Sequence, residues 1–337
     1  MKFVGLKIRK MKIRAAAIGL CLSCFVGCGG RTQTETENPA DMNAQADSQA
    51  DAGSQADAGA QPGGQTDADS QPGDQTDNNH VAESSRSLID TAGMTLQTRI
   101  LPPEGYSRTP AEAGSLTEFL RDYALKGDQS PVLLYDGREK GNQSAHQAVL
   151  ALPLEERDLQ QCADSVMRVY AEYYYQTGQP EKIAFHFTNG FLAEYTRWRA
   201  GERISVDGSQ VRWVPGGAYD DSYENFVKYM RIVFCYAGTL SMTTECEEIS
   251  LDQADVGDVF LKGGSPGHVV MIVDVCENES GKRAFLLAQG YMPAQEFHVL
   301  RNPLHDGDCW YYEEEITYPL RTPEYVFDEH SLCRPDY

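Results

Sequence analysis

After residue 28 the chain has only six cysteines, Cys162, Cys235, Cys246, Cys276, Cys309 and Cys333, and no two of them stand in Cys-x-x-Cys spacing. A zinc ribbon and a thioredoxin-type redox pair are thereby left without support. Histidine shows no ligand pattern either. His186, His298 and His305 have no metal-ligand spacing with carboxylates or with one another, so neither a metal nor a cofactor is expected. Basic residues are scarce, 29 against 50 acidic ones, for a formal net charge of -21. Nucleic acid and an anionic bilayer surface are therefore poor partners. The apolar run near the N-terminus is also short, well under the about 20 residues that span a bilayer.

That run has a place of its own. Lys2, Lys7, Arg9, Lys10, Lys12 and Arg14 precede Ala15-Ala-Ala-Ile-Gly-Leu-Cys-Leu22, and Phe25-Val-Gly-Cys28-Gly-Gly30 follows. Charge first, then a short apolar stretch, then small residues is the order of an export signal. The segment resembles the bacterial lipobox, with Phe25 in place of the usual Leu and Cys24 as a weaker alternative. The resemblance implies cleavage after residue 27, lipidation of Cys28 and anchoring of the chain outside the cytoplasmic membrane. A plain secretory peptide or a short anchor helix is the rival reading.

Residues 28–86 are dominated by Gln, Ala, Asp, Gly, Ser and Pro, with near-repeats such as Gln45-Ala-Asp-Ser and Gln49-Ala-Asp-Ala-Gly. No apolar face offsets the entropy of ordering such a segment, so it reads as a disordered acidic tether. Residues 87–337 are rich in Tyr, Val, Leu and Phe and suffice for one globular domain.

Within that domain, Gly93 to Ile100 alternates like a strand, and Pro131 to Tyr135 and Ala148 to Leu152 read as further strands around the Asp136-Gly137 turn. Leu159, Cys162, Val166, Val169 and Tyr173 recur at helical steps. Asp158 is a candidate N-cap for this helix, with a start at Pro153 as the alternative, and the shorter version places Cys162 in the first turn. Asp221 to Gly238 predicts a second helix. A run of strands follows from Asp258 onwards. In the strand that starts at His268, His268, Val270, Ile272 and Asp274 should share one face and Val269, Met271, Val273 and Val275 the other. Helices followed by consecutive strands argue for an α+β domain, helices packed on a mostly antiparallel sheet.

Three pieces carry chemistry: Gln161-Cys162 at a helix start, Gly257-Asp-Val259, and Gly263-Gly-Ser-Pro-Gly-His268 at a strand start. A thiol at a helix N-terminus faces unpaired N–H groups that lower its pKa and can receive an oxyanion. A histidine held at the head of a strand by a glycine turn suits a general base. A core cysteine and a turn-capping histidine are the plainer readings of the same residues.

In this order the three pieces resemble the papain-like CHAP and NlpC/P60 amidohydrolases of cell walls. The resemblance implies a papain-like fold, Cys162 as nucleophile and His268 as base. The third residue is open: Gln289 ends the next strand, and Gln295 and His298 are rivals. Tyr135-Asp-Gly-Arg-Glu-Lys-Gly-Asn-Gln143, Leu159-Gln-Gln-Cys-Ala-Asp164, Gly264-Ser-Pro-Gly-His268 and Gln289-Gly-Tyr-Met-Pro-Ala-Gln295 together resemble the bacterial family called domain of unknown function 4846. That family brings no established activity.

Arg138, Lys140, Asn142, Gln143 and His146 are candidates to clamp a substrate carboxylate, against the plainer reading of a solvated loop. Gln161, Gln295 and His298 complete the candidate substrate-binding set. The expectation is an envelope lipoprotein that cleaves amide bonds of cell-wall peptides. The alternatives are a non-catalytic envelope module that binds cell-wall peptide or glycan and, more weakly, a solute-binding lipoprotein.

Overall fold

The computed structural model describes residues 87–337, so the export signal, Cys28 and the tether lie outside the described residues. Among the described residues no helix is long and apolar enough to cross a membrane.

The long helix Cys162–Gln176 starts where its first turn is capped: Asp164 Oδ2 accepts the backbone N–H of Gln161 at 3.1 Å. Its start lies later than either sequence-based expectation. Asp158 serves instead as an acceptor for Ala294 N–H at 2.6 Å and for the Gln161 amide at 3.1 Å. The second helix, Tyr223–Tyr236, is capped by Ser222 and buries Phe226, Tyr229, Met230 and Val233.

The long helix packs on one face of a nine-stranded sheet in which every pairing is antiparallel, and the second helix packs against the long one. The main strand order is His146–Val149, His298–Leu300, Arg283–Gln289, His268–Asn278, Val259–Lys262, Leu332–Pro335 and Cys246–Glu248. The strand His268–Asn278 is central and buried on both faces until its last two residues. Its helix-side neighbours form one core with Val166, Val169 and Phe226, while Phe260, Phe285, Leu287 and Phe327 build a second core on the opposite face. The interval between the long helix and the sheet strands holds two separate hairpins, Ala184–His186 with Leu192–Glu194 and Glu202–Asp207 with Gln210–Pro215.

Two local expectations are corrected. The alternating segment from Gly93 to Ile100 is not a strand but one helical turn, Leu96–Arg99. Thr95 and Thr98 cap each other through their hydroxyls and backbone N–H groups, and that local bonding outcompetes the apolar alternation. In the His268–Asn278 strand the alternation breaks at a bulge, because Leu286 opposes Asp274 while Leu287 opposes Ile272. Val275 therefore joins Val270 and Ile272, and Asp274 turns to the helix side to meet Arg121.

Candidate active site

Two glycines bring the candidate residues to one end of the sheet. Gly267 sits directly before His268, and a Cβ there would stand 2.3 Å from Thr239 Oγ1 and 2.5 Å from the Gly264 carbonyl. Gly290 sits directly after Gln289, and a Cβ there would stand 2.2 Å from Ser165 Oγ and 2.9 Å from the Gln161 carbonyl. Only glycine allows the strand end to lie this close to the first turn of the Cys162 helix.

His268 Nε2 and Gln289 Oε1 are 2.7 Å apart. The orientation of the Gln289 amide follows from its other end, where Nε2 donates to Glu324 Oε2 at 2.8 Å. A carboxylate accepts only, so the Gln289 oxygen faces the ring and His268 donates from Nε2–H. Its Nδ1 is then the atom with a free lone pair. The ring is enclosed by Tyr291 and Tyr325, both with centroids 4.7 Å away, and by Phe327.

Cys162 is the first helical residue and is buried. Among the described residues no hydrogen bond joins it to His268; it lies near the N–H of Val269, the next residue along. The expected thiolate is not what this setting favours. Burial first, and then the charge of Asp164, push the thiol up to about 11, outweighing the N–H groups of Ala163, Val269 and Cys162 itself. Burial likewise holds the His268 ring neutral, with its pKa pushed down to about 4 against the partial support of Gln289. The resting pair is thus a neutral thiol and a neutral imidazole.

Asp164 both caps the helix and opposes thiolate formation, which makes it testable. Asp164→Asn keeps an acceptor for the Gln161 N–H and removes the charge. Iodoacetamide labelling of Cys162 at pH 8, followed peptide by peptide by mass spectrometry, is expected to accelerate. An unchanged rate would mean that burial alone holds the thiol protonated.

Of the other residues singled out in the sequence, Lys140 and His298 join this cluster. Lys140 Nζ pairs with Glu324 Oε2 and lies 3.4 Å from His298 Nε2. His298 donates from Nδ1 to the Glu296 carbonyl at 2.8 Å, which leaves Nε2 as the acceptor for Lys140. Burial and the neighbouring Lys140 hold this ring well below the ordinary histidine range.

Gln143 supports the loop that carries Lys140, bonding the Val132 N–H and carbonyl and the Lys140 carbonyl. Gln161 contributes its backbone as the N-cap and turns its side chain to Asp158. Gln295 is buried and donates to the Pro293 carbonyl, and Arg138 is exposed on the surface with Asp136. Neither is brought to His268. His146 is buried and its Nε2 meets the Ser130 carbonyl at 3.1 Å.

Sequence reasoning missed Glu324, Tyr291 and Tyr325. Glu324 and Tyr325 belong to a short hairpin, Leu320–Arg321 with Val326–Phe327, far along the chain from His268. Nothing in their local pattern points to the site. Among the described residues no group of three or more His, Cys, Asp or Glu is placed to hold a metal ion.

The all-antiparallel sheet with helices on one face defines an α+β domain. The chain belongs to the family described as Domain of unknown function (4846), whose sequence model matches residues 96–334. No curated protein and no solved structure matches the chain.

Proposed function

We propose that this chain is an envelope lipoprotein, exported and lipidated at Cys28, whose domain is a papain-like cysteine amidohydrolase or peptidase acting on amide bonds of cell-wall peptides. The observation that carries the reading is the His268 Nε2 to Gln289 Oε1 bond of 2.7 Å, which orients the ring and leaves Nδ1 with a free lone pair, while the Cys162 thiol lies near the N–H of the next residue, Val269.

In this mechanism the Cys162 sulfur attacks the amide carbonyl as its proton passes to His268 Nδ1, so attack and proton transfer are concerted and no resting thiolate is needed. N–H groups at the helix start receive the developing oxyanion. His268 returns the proton to the departing amine as the C–N bond breaks. A water molecule then attacks the thioester with His268 as base, releasing the acid and restoring the thiol. Gln289 holds the imidazole tautomer throughout. The wall-peptide substrate follows from the envelope location and the resemblance of the motifs.

The experiment uses the full chain under reducing conditions with purified cell wall, following newly released amino groups. The native chain is expected to release them, and Cys162→Ala and His268→Ala to fall to the level without enzyme. Release that survives Cys162→Ala overturns the mechanism. The second reading, a non-catalytic module that binds wall peptide or glycan at the same site, draws on the buried protonated thiol and its lack of a hydrogen bond to His268. Equal wall binding by the native chain and Cys162→Ala, with no release by either, would favour it.

A further inference from the structure

We infer that Lys140, Asn142 and Gln289 form a receptor for a substrate carboxylate, filled in the resting chain by Glu324 at the tip of the 320–327 hairpin. The inference rests on the His268–Gln289 end of the sheet being a substrate site, as proposed above. Three donors from two separate elements converge on this one side chain. Gln289 Nε2 meets Glu324 Oε2 at 2.8 Å, Asn142 Nδ2 meets Oε1 at 3.2 Å, and Lys140 Nζ pairs with Oε2. The loop bearing Lys140 and Asn142 is held without Glu324, since Gln143 ties it to Val132 and Asn142 Oδ1 accepts the Ser144 N–H at 3.1 Å.

The ammonium of Lys140 is buried, and its other neighbour is the neutral His298 ring. A buried cation without an anion is strongly unfavourable, and burial already lowers the Lys140 pKa against the support of Glu324, so departure of Glu324 calls for another anion in its place or for loss of the Lys140 proton.

Glu324 is delivered on a compact unit. Its four-residue turn is closed by Thr322 N–H to the Tyr325 carbonyl at 3.0 Å and by Tyr325 N–H to Thr322 Oγ1 at 3.1 Å. The two strands on either side pair only with each other in a separate two-stranded sheet. The same turn carries Tyr325, which covers His268. Displacing this turn, with Leu320 and Phe327 kept in the second core, therefore uncovers the histidine and the cationic receptor together. Gln289 touches both, so a bound carboxylate would lie roughly one or two residues from the bond at His268. The substrate class is a peptide with a free carboxylate close to the amide that is cut.

The test measures binding of N-acetyl-dialanine and of its C-terminal amide to the full chain by calorimetry, in a Cys162→Ala background so that no turnover occurs. Adding Glu324→Gln is expected to tighten binding of the acid at least about tenfold and to leave the amide unchanged. Adding Lys140→Met to that variant is expected to abolish the gain. In the Cys162→Ala chain with Glu324 intact, saturating acid is expected to speed hydrogen exchange across residues 320–327. This arm stands even if the Glu324 variant fails to fold.

Acid and amide binding alike in Glu324→Gln, or hairpin exchange that ignores the acid, overturns the receptor. Because binding is read without the nucleophile, carboxylate selectivity with no cleavage in the native chain would sink the hydrolase reading alone. Cleavage with no carboxylate selectivity would sink the receptor alone.

Discussion

Replacing Asp274 with alanine is expected to lower the stability of the domain by about 3–5 kcal/mol, a fall in Tm of about 10 °C. Asp274 is 0% exposed and receives two guanidinium groups, Arg108 Nε at 2.6 Å and Arg121 Nε at 2.7 Å. It also accepts the Val275 N–H at 2.9 Å. Arg121 spends its remaining donors on Thr109 and the Val275 carbonyl, so it cannot swing out to water when the carboxylate is gone. The large cost comes from the cations left behind, more than from the lost attraction. Asp274→Asn keeps the shape and one acceptor, and should lie between the two. Denaturant unfolding of the three chains measures this. Equal stability of the alanine variant and the native chain would show that the two arginines find other partners.

The second large effect is a loss of stability in acid that belongs to His268. In the fold its ring stays neutral down to about pH 4, whereas its ordinary value is 6.5. Between those values the unfolded chain takes up a proton that the folded chain does not, so stability falls as the pH drops through this window. The fall amounts to about 3 kcal/mol between pH 7 and pH 4.

His298, held low by burial and by Lys140, adds loss of the same sign. Asp164 and Glu245, whose carboxyls burial pushes up, act in the opposite direction. The comparison that isolates His268 is the pH dependence of unfolding in the native chain against His268→Asn, which shares every other group but cannot titrate at that position. The native chain should lose about 3 kcal/mol more than the variant over this window. Parallel curves would mean that the ring is solvated and titrates normally. The same neutral ring predicts that alkylation of Cys162 shows no inflection near pH 6.5.

Several parts of this arrangement were legible in the residues alone because they depend on neighbours in the chain. Helical spacing from Leu159 to Tyr173 placed Cys162 at a helix start, within one turn of where the cap lies. The glycine turn before His268 was legible as what holds the histidine at the head of its strand, and the structure shows Thr239 and the Gly264 carbonyl lying against Gly267. Gln289 was one of three candidates for the partner of His268. The strand register, with Leu287 opposite Ile272 and Ala288 opposite Met271, carries it to the His268 end of the sheet, while Gln295 stays at the Pro293 turn.

By itself the sequence determined the α+β class and the antiparallel sheet, a helix with Cys162 near its start, and the glycine-flanked strand that begins at His268. Periodicity and turn chemistry act over a few residues, and a reader of the chain sees all of them. Tertiary structure alone decided the electrostatics of the site and its cover. A helix N-terminus favours a thiolate, yet other elements remove water from Cys162, and the sign of its shift follows from that burial and from Asp164. Asp274 changed faces because one bulge offsets every later side chain by one position. Glu324 reaches Lys140 and Gln289 only through the packing of a distant hairpin, a contact set by long-range geometry that no local pattern encodes.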